Sequence, residues 1–313
     1  MANERYGSKY LTLLGEETGG YGTEQTNYDA TLPDTVEMKE EVSAIELSQK
    51  TGDLEKQKSE YLAGLRKGTV TISGQLAIDD GITTHGLIFD AFFSNDTVFS
   101  NSGVGAPQSY TIYQYFTDDN SYNTAVGCVA ESLEITGEVD GAIEYTITFR
   151  AKSISREESG DPPSEPSYAD LRPLLFQNVA SDIIADNTDI DTINSFSLTL
   201  NYAFADDNLV YQNSTTKSQE LRCSFNGQLN IEFNYDSTHS SDVYDNIMGA
   251  TLLTDTLGLY TDTADYFEIT TEGKITEYTI ADPDKCIFTN SFTKELLGSS
   301  AKDAIEISYE AGV

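Results

Sequence analysis

The chain has no tryptophan and only 2 histidines, 3 cysteines and 7 prolines in 313 residues. Each shortage removes a class of function. Two histidines, His85 and His239, are too few and too far from the cysteines for a zinc centre. Cys128, Cys223 and Cys286 are odd in number, widely spaced and form no CxxC pair, which argues against a disulfide framework. They read as reduced, buried thiols of a protein made in a reducing cytosol. Catalytic and phosphate-cradling signatures are also missing: there is no GxSxG, HExxH, GxGxxG or GxxxxGK[ST]. No apolar run approaches the roughly 18 residues that a membrane helix needs. Residues 1–6 carry charge and lack the apolar core of a secretory signal.

The scarcest commodity is positive charge. Lys and Arg number 18 against 52 Asp and Glu, a net charge of −34, or about one uncompensated negative charge per nine residues. Nucleic-acid binders need Lys and Arg to displace counterions from phosphate, so specific DNA or RNA grip is excluded. Docking on an anionic membrane surface fails for the same reason. Disorder is the other common home for such charge, but 38% hydrophobic and 11% aromatic residues give enough apolar surface for a core. The 19 Tyr and 14 Phe are residues that strands favour.

Strand periodicity dominates. Residues 69–78 place Val70, Ile72, Leu76 and Ile78 on one face, and residues 133–139 and 143–149 also alternate at period two. Asp140-Gly141 between the latter two predicts a hairpin turn. Residues 196–202 and 229–233 behave alike. Two short helices are expected. One is capped by Thr84 and runs through Leu87, Ile88, Ala91 and Phe92. The other is capped by Thr238 and runs through Val243, Tyr244, Ile247 and Met248 to Gly249.

An internal repeat organises these segments. Ser73-Gly74-Gln75-Leu76-Ala77-Ile78-Asp79 returns as Asn226-Gly227-Gln228-Leu229-Asn230-Ile231-Glu232, and residues 84–90 return as 238–244. Residues 43–47 match 195–200, Cys128 matches Cys286, and residues 142–145 match 304–307. Ser43 to Ser73 spans 30 residues and Ser195 to Asn226 spans 31; Gly74 to Cys128 spans 54 and Gly227 to Cys286 spans 59. The expected organisation is an N-terminal arm (1–42) with a strand at 10–14, a first unit (43–155), a linker or arm (156–194) and a second unit (195–313). Residues 154–166 hold three of the seven prolines and no hydrophobic residue after Ile154, a linker composition. Each unit reads as a mainly β sandwich or half-barrel with one short helix laid against it.

Candidate chemistry is thin. Each histidine follows a threonine at a helix start, without a partnered nucleophile or base, and reads as a helix N-terminal polar residue. The acidic runs at 182–191 and 118–120 could ligate Ca²⁺, but neither fits an EF-hand loop, and solvated loops explain them. With 52 acids, chance carboxylate pairs are inevitable and identify no glycosidase. Lys56-Gln57-Lys58 with Arg66-Lys67 is the one local basic cluster, a solvated loop or an intersubunit partner for the acidic remainder. No catalytic residue, cofactor or metal site is expected, and the chain does not read as an enzyme.

The chain resembles the tail tube (major tail) proteins of long-tailed, siphovirus-like viruses of bacteria or archaea. Residues 10–23, closing on Glu16-x-x-x-x-Tyr21-Gly22-Thr23, look like the family's N-terminal arm. Residues 68–80 followed by 86–93 look like its strand and helix, and Gly127-Cys128 with Ser132-Leu133 looks like its next strand. Residues 194–202 and 220–233 look like the start of a second half. Lys285 before Cys286 departs from the Gly-Cys pattern. The resemblance implies a structural subunit of the virion tail whose copies form rings, and whose rings stack into a tube for genome passage. Rings of this family usually present six domains, so two units per chain imply a homotrimeric, pseudo-six-fold ring, with a hexamer as the alternative. Implied partners are further copies of the chain, adjacent rings, the tape-measure protein and transiting DNA without specific binding. Loops at 48–67 and 203–219, the arm and the linker would reach the neighbour, with Glu55, Lys56, Lys58, Arg66, Asp206, Asp207 and Lys217 as interface candidates. The competing reading is an acidic β-sandwich adhesion module that binds carbohydrate or cations. On the tail reading, carboxylates along the channel would repel phosphate; adaptation to high salt would instead place them outside.

Overall fold

The computed structural model describes residues 10–25, 28–32, 34–45, 62–78, 83–93, 99–100, 107–116, 121–159, 172–174, 179–182, 193–204, 222–234, 244–245, 252–260, 266–281, 289–298 and 304–310. The fold is mainly β. Tyr10–Glu16 (β1), Ala30–Leu32 (β2), Thr35–Ile45 (β3), Leu62–Gln75 (β4) and Ala77–Ile78 (β5) lead to the helix Thr83–Phe93 (α1). Phe99–Ser100 (β6), Tyr110–Phe116 (β7), Ser121–Glu138 (β8), Glu144–Ala151 (β9) and Ser153–Ser159 (β10) follow. Arg172–Pro173 (β11) and Val179–Asp182 (β12) precede Ile193–Phe204 (β13) and Arg222–Asn234 (β14). Leu253–Tyr260 (β15), Tyr266–Ala281 (β16), Thr289–Leu296 (β17) and Ile305–Glu310 (β18) complete the chain.

Alternation sets the faces as the sequence predicts. In β9, Tyr145, Ile147 and Phe149 are buried while Glu144 lies outward. The Asp140-Gly141 turn closes with Asp140 at φ 67° and the Gly141 N–H donating to Glu138 O at 3.0 Å. Aspartate tolerates that left-handed conformation better than most residues. In α1, Ile88, Phe89, Ala91 and Phe92 face the core, and the Tyr110 hydroxyl donates to Asp90 Oδ2 at 3.1 Å, which ties the helix to β7. The second expected helix lies outside the described residues except for Tyr244 and Asp245, which are helical.

Sixteen strands form one continuous antiparallel sheet, and β5 pairs with β11 apart from it. Residues expected in an N-terminal arm are woven into this sheet: β1 lies between β7 and β2, and β3 extends from Thr35 across position 43. The region expected to link the units contributes the end of β10, then β11 and β12. One core cluster runs from Leu14 to Ile307 through both halves.

Six strand pairings occur twice. β3–β4, β4–β9, β9–β8, β8–β7, β7–β1 and β8–β10 are matched by β13–β14, β14–β17, β17–β16, β16–β15, β15–β12 and β16–β18. β8 and β16 each change neighbours midway, and each has a bulge just after the change, between Ala130 and Ser132 and between Ile275 and Glu277. Pairing also corrects the register of the sequence repeat. Gly68 opposes Ala151 as Gly227 opposes Leu296, so Gly68, not Gly74, stands in the place of Gly227. Likewise Thr35 rather than Ser43 stands in the place of Ser195. The short matches of Gly74-Gln75 to Gly227-Gln228 and of Ser43 to Ser195 were shifted by six and eight residues because alternating strands resemble themselves at every even offset.

Candidate assembly surfaces

The two sets of strands meet at β8 and β13, which pair antiparallel over seven residue pairs from Ser195↔Glu138 to Asn201↔Ser132. This junction aligns eight strands in the order β3, β4, β9, β8, β13, β14, β17, β16. One row across them is Val36, Ile72, Ile147, Leu133, Leu200, Gly227, Leu296 and Gly273. It belongs to the core face. The next row is Thr35, Ser73, Thr146, Glu134, Thr199, Gln228, Glu295 and Lys274, and is polar throughout. The sheet therefore presents a wide surface of hydroxyls, amides and carboxylates. Shallow grooves cross it, one bounded by Thr136, Glu138, Glu144 and Ser195.

Side chains reinforce the junction. Arg222 of β14 is buried beneath α1, its guanidinium 4.0 Å from the Tyr202 ring centroid. It donates to Ala91 O at 3.3 Å and Ala130 O at 3.1 Å, so one second-half residue holds the end of the first-half helix and β8. Burial lowers its pKa to about 10, which keeps it charged at neutral pH. Arg150 of β9 donates from Nε to Glu131 at 2.8 Å and lies 4.5 Å from the Phe204 ring of β13. Neither contact was legible in the sequence.

A carboxylate fixes the N-terminal segment. Glu17, 3% exposed, accepts four hydrogen bonds: from the Gly22 N–H (2.6 Å), the Gly127 N–H (2.7 Å), the Ser109 hydroxyl (2.6 Å) and the Thr111 hydroxyl (3.1 Å). Gly127 is where β8 turns from β7 toward β9, at φ 64°; a Cβ there would lie 2.6 Å from Lys152 Cβ and 3.2 Å from the Tyr21 ring. Lys152 Nζ in turn donates to Tyr21 O at 3.3 Å. Thus the Tyr-Gly-Thr segment and the Gly-Cys segment, noted separately in the sequence, meet around Glu17 rather than Glu16. Cys128 beside them is buried, and burial with the Glu17 charge pushes its thiol pKa well up.

A second buried charge lies in the other half. Lys294, fully buried, donates to Asp255 Oδ2 at 2.6 Å, Thr271 O at 3.0 Å and Thr271 Oγ1 at 3.1 Å. Loss of water favours the neutral form of both partners, raising the Asp255 pKa and lowering that of Lys294. The pair ties β17 to β15 and β16 and has no access to a substrate.

Of the interface candidates, Arg66 lies in β4 opposite Val42 of β3. Glu55, Lys56, Lys58, Asp206, Asp207 and Lys217 lie outside the described residues. So do His239, Cys286 and the acidic run 118–120; of the run 182–191 only Asp182, at the end of β12, is described. Cys223 is exposed rather than buried, since it follows Arg222 at the start of β14, away from the core. Among the described residues no group of three His, Cys, Asp or Glu could hold a metal ion, and no helix is long and apolar enough to cross a membrane.

The model of a family described as phage tail tube protein matches residues 7–312. No curated protein matches the chain.

Proposed function

Because the chain belongs to the phage tail tube protein family, a structural family of the virion tail, we propose that its copies close into a ring whose stacked layers form the channel for the genome. The observation that carries this reading is the double occurrence of six strand pairings in one chain. Two tandem tube units per chain make a homotrimer present the six units usual for the family.

On this proposal the polar face of the eight strands lines the channel. Glu37, Glu41, Glu134, Glu144, Glu232 and Glu295 stand on it among threonines, serines and amides, with Lys39, Arg150 and Lys274 as counter-charges. Among the described residues carboxylates outnumber cations on this wall, and Lys39 and Arg150 are each held by one, Glu41 and Glu131, so DNA slides past without a sequence-specific or salt-bridged hold. Side-chain hydroxyls and amides keep the wall hydrated. The segments carrying Glu55, Lys56 and Lys58, and Asp206, Asp207 and Lys217, with Arg66 near the start of β4, would reach the next subunit or the next ring. The tape-measure protein would occupy the channel before the DNA does. The work of such a protein is mechanical and electrostatic, and no catalytic step is involved.

Electron microscopy and native mass measurement of the purified protein at high concentration test the proposal. Stacked rings with a central hole and three chains per ring are expected. A ring of six chains would sink the trimer, and a monomer that never assembles would sink the tube.

A further inference from the structure

The pairing of β8 with β13 joins the first set of strands to the second. The outer strands of the eight, β3 and the distal half of β16, occupy in their sets the places of β13 and β8. We infer that a second copy of this chain docks along that edge, residues 277–281 of β16 pairing antiparallel with residues 37–41 of β3 in the next copy, in the register that β8 and β13 already show.

The register follows from the bulges. Val129 opposes Arg150 just before the first bulge as Lys274 opposes Glu295 just before the second, so Ser132 corresponds to Glu277 and Ile135 to Ile280. On the other strand the Gly68 and Gly227 positions bring Leu198 onto Met38 and Thr199 onto Lys39. The internal pair Leu198↔Ile135 then becomes Met38 opposite Ile280, and Thr199↔Glu134 becomes Lys39 opposite Thr279.

Three observations favour a second copy as the occupant. Ile280 is 53% exposed, whereas its counterpart Ile135 and the partner Leu198 are fully buried at the internal junction. An isoleucine in such a strand gains by being covered, and the geometry that covers it is present once already in the same molecule. Next, the Tyr278 hydroxyl is buried with no hydrogen-bond partner among the described residues, and the register sets Glu40 of the next copy opposite it, a carboxylate that can accept a hydrogen bond from it. Third, charge is compatible. Glu277 comes opposite Glu41, but Lys39 lies 2.6 Å from Glu41 and offsets the repulsion. At the other edge the exposed Arg156 guanidinium donates to Met38 O at 3.0 Å; a docking strand replaces that single bond with a ladder. Because the two edges differ, the contact is head-to-tail and repeats from copy to copy until the ring closes. The pairing rests on the tube reading only for that closure.

The test uses the full chain with the exposed Cys223 replaced by serine and with Glu37→Cys and Ala281→Cys together, oxidised after assembly and separated in denaturant without reductant. The register sets these two residues opposite one another, as Ser197 opposes Thr136, and directly opposed strand residues have the short Cβ separation a disulfide needs. A ladder of covalent multimers is expected, and the pair Glu37→Cys with Thr279→Cys, two residues out of register, should give on the order of tenfold less. The single variants in the same background should give no ladder. Ile280→Asp, at a site exposed in the free chain, should leave the monomer's thermal unfolding unchanged and abolish assembly. Rings without the Glu37–Ala281 cross-link would overturn this junction and leave the tube reading standing. A ladder without rings would uphold the junction and overturn the ring, and a monomer with neither would overturn both.

Discussion

At the scale of single residues, stability rests on a few buried polar groups that the acidic composition hides. Glu17 is one of 52 acids, and it accepts two backbone and two hydroxyl hydrogen bonds from three segments. Glu17→Gln keeps the shape but aims an amide donor at a donor; bonds to a buried charge are worth about 1.5–3 kcal/mol each, so a loss of about 2–4 kcal/mol in urea unfolding is expected. Lys294→Ala leaves the Asp255 carboxylate buried without its partner and should cost about 3–5 kcal/mol. Adding Asp255→Ala in the same chain should restore part of that loss, since the second change removes the stranded charge. Equal losses for the single and double variants would refute the coupling. The alkaline limb has a defined sign. Burial raises the Cys128, Tyr110 and Tyr145 pKa values above their ordinary values of 9.0, 10.0 and 10.0. Their contribution is fully present below about pH 9 and is lost as pH rises, because the unfolded chain releases protons that the folded chain retains. Unfolding free energy should therefore fall between about pH 9 and 11, less steeply in Cys128→Ala.

Strands and the helix were legible where periodicity was clean and illegible where partner choice decided. Residues 143–149 and 196–202 alternate, and they form β9 and β13 with the expected faces. The Asp140-Gly141 turn and the core face of α1 likewise follow from local chemistry. What alternation cannot encode is the neighbour. β8 reads as one long strand, but it serves β7 and β10 with its first half and β9 and β13 with its second. The change needs Gly127 at positive φ and the bulge after Ala130. Gly127→Val should cost about 1–3 kcal/mol in backbone strain alone, with more from the clash at Lys152. At the helix end, Arg222→Lys keeps a charge but loses the flat guanidinium that lies on Tyr202 and spans Ala91 O and Ala130 O. Hydrogen exchange should then show earlier opening of α1 in this variant than in the parent, with β17 unaffected.

For the whole molecule the governing quantity is the charge of −34. Copies brought edge to edge repel one another, and screening lengths shrink from about 30 Å at 0.01 M salt to about 3 Å at 1 M. Assembly should therefore be promoted by NaCl, with ring yield in light scattering rising over that range. A yield that falls with salt would mean that cross-subunit ion pairs, such as those expected of Lys56 and Lys58, outweigh the general repulsion. Stacked tubes and isolated rings can be scored separately in micrographs, which divides the effect between lateral and axial contacts.

Composition and periodicity by themselves determined a folded, acidic, strand-rich chain. They also pointed to a repeat, through short matches that strand pairing places out of register. They did not determine the register of that repeat, because a period of two matches itself at every even shift. Only backbone pairing, with Gly68 and Gly227 in equivalent places and a bulge in each long strand, decided which residues correspond. Tertiary structure also chose, among many chemically alike acids and cations, the few that are buried: Glu17, Asp255, Lys294 and Arg222. Burial is a property of what surrounds a side chain, and those surroundings come from segments about 40 to 130 residues away.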